Sequence, residues 1–221
     1  MLNNIYLIFL FLASDQTIRI WNYVTGKIEL VKKYQVDISV VNLHPSGIFA
    51  AVGFSDQLRI MEILLDDLKI TKTYNFPKCQ QAVFCHQGHM LACAYENMVK
   101  IVSVFQFHEI CVLKGHNGTV VSLTWSLCDQ FLISSGLEGA VYEWRVSIAE
   151  RVNEVVQKGI ECRQTEITQD RSAIYSVTNN GLLRVLANSE ILLTTFAMLA
   201  FVIVVSLSST SMSLLFLVGF L

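Results

Sequence analysis

The chain has 221 residues, 53% hydrophobic and 15% charged, with 16 Lys and Arg against 18 Asp and Glu for a net charge of −2. That apolar content excludes disorder over most of the chain, and a near-neutral balance without a basic stripe excludes nucleic acid as a main ligand. Six cysteines without a Cys-x-x-Cys pair exclude a disulfide framework and read as reduced thiols.

Residues 1–14 carry no charge. A secretory leader needs a positive start, which is missing, so residues 6–13 read instead as the second strand of a β unit that leads into Ser14-Asp15. Downstream, short β-like runs end at Trp21, Met61, Val102, Trp144 and Leu186, at intervals of 40, 41, 42 and 42. A second column, Leu43, Phe84, Trp125 and Ile167, precedes a four-residue turn each time, at intervals of 41, 41 and 42. Two columns in the same register mean an array of supersecondary units. The turns are His44-Pro45-Ser46-Gly47, Cys85-His86-Gln87-Gly88, Ser126-Leu127-Cys128-Asp129 and Thr168-Gln169-Asp170-Arg171. The first two carry Pro or Gly, which reverse a chain at low cost.

Each unit divides into four short strands. The expected runs are 38–43, 48–54, 58–64 and 68–74, then 80–84, 90–95, 98–105 and 108–113, then 119–125, 131–135, 140–146 and 150–156. The last unit supplies 162–167, 173–177, 182–186 and an outer strand at 191–196. The fold predicted is all-β, an incomplete propeller of about five four-stranded blades over residues 1–196, with blade ends near 34, 74, 113, 157 and 196. The first blade lacks its inner strand. Blades covered on both sides bury both sheet faces, so alternation blurs into runs such as Phe131-Leu132-Ile133. Residues 191–221 carry no charge, and 197–221 form an apolar tail long enough for a tilted membrane span. An artefactual end to the sequence explains that tail equally well.

Chemistry-bearing residues are few. Cys79, Cys85, His86, His89 and Cys93 include the right atoms for zinc but neither the usual ligand spacing nor a second pair, so no metal is expected. Phosphate-cradling glycine loops and a Gly-x-Ser-x-Gly nucleophile turn are missing from the sequence. No catalytic residue and no cofactor are expected.

Leu113-Lys114-Gly115-His116 opens the fourth unit and Tyr142-Glu143-Trp144 closes it, with Trp144 28 positions after His116. This resembles a WD40 repeat, and Ser14-Asp15-Gln16-Thr17-Ile18-Arg19-Ile20-Trp21-Asn22 resembles the ending of another. The resemblance implies a hydrogen-bonded structural network of His116, Ser134, Glu138 and Trp144, with Asp15 and Trp21 as first-unit counterparts. Glu138 stands where the family has Asp, and its extra methylene is expected to loosen or abolish the network. No nucleophile or second acid accompanies His116, so a structural role outweighs acid-base catalysis.

Longer strings are more specific. Leu43-His44-Pro45-Ser46-Gly47, Val52-Gly53-Phe54-Ser55-Asp56-Gln57-Leu58-Arg59, Leu64-Leu65-Asp66-Asp67 and Gly139-Ala140-Val141-Tyr142-Glu143-Trp144 resemble the propeller region of the cilia- and flagella-associated protein 57 family, over roughly residues 14–188. That resemblance implies a non-enzymatic scaffold of the cytoplasm, in the ciliary or flagellar axoneme. Its partners would be other proteins, among them axonemal and inner-dynein-arm components. The alternative is a membrane-tethered adaptor or receptor anchored by the tail. Loops on a rigid propeller are the expected contact surfaces. Tyr34, Phe76, Arg151 and Arg163 lie at or near connections and are the candidate protein-binding residues, although Tyr34 and Phe76 could instead pack between blades.

Overall fold

The computed structural model describes residues 8–196, apart from Ser14, Tyr23, Leu65, Asn188 and Ser189. Among the described residues every regular element is a strand, and the strands form five antiparallel sheets. The first sheet holds β1 (Ile8–Ala13), β2 (Thr17–Asn22) and β3 (Lys27–Lys33). The second holds β4 (Ile38–Leu43), β5 (Phe49–Phe54), β6 (Leu58–Ile63) and β7 (Leu68–Tyr74). β8 (Gln81–Phe84), β9 (Met90–Tyr95), β10 (Met98–Ser103) and β11 (Glu109–Lys114) make the third. The fourth is β12 (Val120–Trp125), β13 (Phe131–Gly136), β14 (Ala140–Arg145) and β15 (Glu150–Val156). The fifth is β16 (Cys162–Ile167), β17 (Ile174–Thr178), β18 (Leu182–Ala187) and β19 (Glu190–Phe196). Each sheet is a meander whose strands pair in chain order, as the repeat predicts. Residues 8–13 pair with β2 along their whole length, in agreement with the reading of the apolar start as a blade strand.

Burial changes with position in the blade. The second strands β5, β9 and β13 are buried almost throughout, whereas the outer strands β3, β7 and β15 are largely exposed. Inner strands of successive blades adjoin in series, β4 to β8 to β12 to β16. The apolar clusters accordingly lie between sheets. Ile18 and Ile20 meet Val52 and Phe54, Leu58 and Ile60 meet Cys79 and Leu91, and Ala92 and Ile101 meet Trp125 and Trp144. Ile133 and Val141 meet Cys162 and Leu186. The five sheets therefore stack face against face as an incomplete propeller.

The sequence column Trp21, Met61, Val102, Trp144 and Leu186 has a structural cause. In all five sheets a β-bulge falls immediately before that residue, between the last two strands of the sheet. A bulge re-aims the side chain that follows it, and four of these five side chains are buried.

Polar side chains stitch neighbouring blades at the same period. Asn42 Oδ1 accepts from Phe84 N–H at 3.3 Å, Gln81 Oε1 accepts from Leu123 N–H, and Ser122 Oγ accepts from Thr165 N–H at 3.1 Å. Trp125 Nε1–H donates to Val83 O at 3.0 Å. The N–H groups of Phe84, Leu123 and Thr165 lie on first strands, which have a sheet neighbour on one side only, so these side chains supply the partners that the sheet does not.

Among the described residues no helix is long and apolar enough to cross a membrane. The tail at 197–221 lies outside the described residues, as do residues 1–7.

Candidate protein-interaction site

Strand polarity divides the turns between two faces. Turns from first to second and from third to fourth strand emerge on one face, and all others emerge opposite. Contacts between the first-to-second turns of neighbouring blades confirm the alignment. The His44 ring bonds Gly88 O at 2.8 Å, and the Asp129 carboxylate accepts from the N–H groups of His86 and Gln87, each at 2.8 Å. Burial opposes ionisation of Asp129, but the Gln87 and His86 bonds outweigh it and hold its carboxyl below the usual range.

The opposite face carries the network in the fourth blade. Trp144 Nε1–H, a donor only, donates to Ser134 Oγ at 2.7 Å. Ser134 therefore gives its own proton to His116 Nε2 at 2.7 Å, and His116 Nδ1–H donates to Glu138 Oε1 at 2.6 Å. The expected loosening by Glu138 does not occur. Room for the extra methylene comes from two glycines: a Cβ on Gly136 would stand 2.0 Å from Glu138 Oε2, and one on Gly118 would stand 2.7 Å from it. Burial holds the His116 imidazole below its usual range against the pull of Glu138, so the ring is neutral near pH 7. Both ring nitrogens are committed, which makes the histidine a strut. Trp144 is 3% exposed and meets Tyr142 edge to face at 5.7 Å. In the first blade, Asp15 accepts from Thr17 N–H and Oγ–H and pairs with Arg19 at 2.7 Å, and Trp21 is half-buried.

Two of the candidate contact residues pack against a neighbouring blade, the alternative the sequence offered for them. Phe76 is 7% exposed and stacks on Tyr74 at 5.4 Å, with Lys100 Nζ 4.8 Å from its ring centroid. Tyr34 is half-buried against Phe54 at 5.1 Å, and its hydroxyl reaches Met61 Sδ at 3.4 Å. Burial pushes the Tyr34 hydroxyl pKa up to about 12, so it stays protonated. Phe76 is an interior residue between blades, whereas Tyr34 packs on the neighbouring blade with part of its surface accessible. Arg151 and Arg163 are exposed, near the starts of β15 and β16, and are paired with Glu154 and Glu161 at 2.8 and 3.6 Å.

The most exposed large apolar side chains lie elsewhere. Val24, Phe105, Leu127 and Ile148 are 63, 62, 51 and 53% exposed, and all four sit in turns of the first-named face. Ile48 and Leu64, also exposed, belong to the same face. The sequence reading placed Phe105 inside a strand, but β10 ends at Ser103 and leaves the ring at a turn tip. A large apolar residue inside a predicted turn, as in Ser126-Leu127-Cys128-Asp129, was the available signal. Leu127 also borders a cavity of about 540 Å³ beside the inner strands, lined by Gln81, Val83, Leu123, Trp125 and Glu166. The same face brings Cys85 and His89 together with Asp129, a grouping that sequence spacing did not suggest.

Four-stranded sheets repeating every forty-odd residues, with a buried Trp–Ser–His–carboxylate chain inside a blade, define a WD40-repeat β-propeller. The family model described as WD domain, G-beta repeat, matches residues 107–145, and the chain belongs to the WD40-repeat proteins. It is 38% identical to cilia- and flagella-associated protein 57 of Mus musculus across 81% of its own length. Identity is 29% to cilia- and flagella-associated protein 57 C of Tetrahymena thermophila across 76%, and 33% to WD repeat-containing protein 1 of Mus musculus across 50%. The chain spans 14% of the first two relatives' length and 19% of the third's.

Proposed function

We propose that this chain is a non-enzymatic scaffold of the ciliary or flagellar axoneme, binding axonemal proteins of the inner-dynein-arm class. The observation that carries the reading is the similarity to relatives named cilia- and flagella-associated, at 38% identity over 81% of the chain in one case. The site supports it. The stack of sheets presents Phe105, Leu127, Ile148 and Val24 exposed on one face, and apolar side chains grouped on an exposed face mark protein-interaction surfaces. Both ring nitrogens of His116 are bonded inside a blade, so the most enzyme-like residue of the sequence is not available for proton transfer. Arg151 and Arg163 serve as secondary contacts.

The test is cosedimentation of the full chain with axonemes stripped of dynein by salt. Specific, saturable binding is expected, weakened at least tenfold by Phe105→Asp combined with Leu127→Asp and less by Arg163→Glu. Binding that is absent, or equal for the wild type and the double variant, overturns the proposal.

A further inference from the structure

We propose that Cys85, His89 and Asp129 form a zinc(II) site that clips the third and fourth blades together. The local fold builds it. The β8–β9 turn closes through Gly88 N–H to Cys85 O at 3.0 Å, with Gly88 at φ +78°, a conformation that L side chains rarely adopt. That reversal returns His89 over Cys85, and His89 Nδ1 lies 3.4 Å from Cys85 Sγ. Asp129 arrives from the β12–β13 turn of the next blade. One ligand atom from each residue lies within 4.8 Å of the other two.

Zinc bonds of roughly 2.0 to 2.3 Å set tetrahedral ligand atoms about 3.3 to 3.7 Å apart. The sulfur–nitrogen separation already fits, and the carboxylate, within 4.8 Å of both, has to close by up to roughly 1.1 to 1.5 Å, which a rotation of the Asp129 side chain supplies. Asp129 is pre-aimed, because its two oxygens accept from the N–H groups of His86 and Gln87. A carboxylate has about four lone-pair sites, and the three bonds from His86 and Gln87 leave one for a metal. The His86 Nδ1 contact to Asp129 Oδ1 at 3.1 Å is the outer support that metal-bound carboxylates commonly have. Cys85 and Asp129 are buried and His89 is exposed, so the site has a protected floor and an open side. Solvent takes the fourth position. Thiolate, imidazole and carboxylate together suit a borderline ion such as zinc(II) or cobalt(II) rather than magnesium or calcium. On binding, the Cys85 thiol yields its proton to solvent and its sulfur bonds the metal.

The experiment titrates the full chain, stripped with chelator, first with cobalt(II) and then with zinc(II). Cobalt should bind one to one with a thiolate-to-metal charge-transfer absorption, and zinc should displace it. Zinc should also raise the melting temperature, because an ion bound only to the native state stabilises that state. Cys85→Ser should abolish the absorption, and His89→Ala, at an exposed position, should weaken cobalt binding at least tenfold while the chain stays folded. Cys128→Ser, in the neighbouring turn, should change neither. The proposal falls if no charge-transfer band forms, if the band follows Cys128 instead of Cys85, or if His89→Ala binds as the wild type does.

Discussion

Replacing Gly136 with alanine tests how the fourth blade accommodates Glu138. Gly136 lies in β13 without a positive φ, so its backbone suits alanine and only the added Cβ matters. That atom would stand 2.0 Å from Glu138 Oε2, 2.6 Å from Cδ and 2.8 Å from Oε1, so the carboxyl group must leave. Oε1 then departs from His116 Nδ1, which now holds it at 2.6 Å. Overpacking costs about 1 to 3 kcal/mol, and a lost hydrogen bond to a charged group roughly another 1.5 to 3 kcal/mol. Stiffening the unfolded chain by a glycine-to-alanine change returns about 0.4 to 1 kcal/mol. The net destabilisation is roughly 2 to 5 kcal/mol. Glu138→Asp, one methylene shorter, withdraws the carboxyl from that space, so the double variant Gly136→Ala/Glu138→Asp should lose at least ~1 kcal/mol less than the sum of the single losses. Urea unfolding of the full chain, followed by tryptophan fluorescence, measures all four corners of the cycle. A neutral Gly136→Ala, or single losses that add within about 0.5 kcal/mol, would refute the steric account of Glu138.

Trp144→Ala removes a buried ring between blades and should cost about 3 to 5 kcal/mol in the same assay, whereas Trp144→Phe keeps most of the apolar area, loses the bond to Ser134 and should cost clearly less. His116 binds protons less readily folded than unfolded, where its pKa is near 6.5, so its contribution to stability is complete above that value and is lost as pH falls through the lower folded pKa. The melting temperature should therefore drop between about pH 7.5 and pH 5.5, and the drop should shrink in His116→Gln; an unchanged slope in that variant would locate the acid sensitivity elsewhere.

The repeat was legible because a bulge recurs before Trp21, Met61, Val102, Trp144 and Leu186 and fixes which side chain turns inward in each blade. Period and alternation are local properties, so strands such as β4 (Ile38–Leu43), β7 (Leu68–Tyr74), β9 (Met90–Tyr95) and β16 (Cys162–Ile167) fall at the residues expected. The network residues His116, Ser134, Glu138 and Trp144 were legible too, through their likeness to a repeat whose spacing is fixed by one blade. Contacts between blades were not. Tyr34 and Phe76 look like loop residues along the chain, but both pack on neighbouring strands, Phe76 wholly and Tyr34 in part, and no spacing within one unit reports that. Gly118 and Gly136 read as ordinary glycines until Glu138 is seen to fill the room they leave. Asp129 is 44 positions from Cys85, and only the stacking of one blade on the next places its carboxylate beside that thiol and the His89 ring. The sequence by itself determined the strands, their order and the period, because these follow from side-chain pattern and turn chemistry. Which residues face a partner, and which turns share a face, were decided by the tertiary arrangement, because exposure and proximity across blades depend on how the sheets are set side by side.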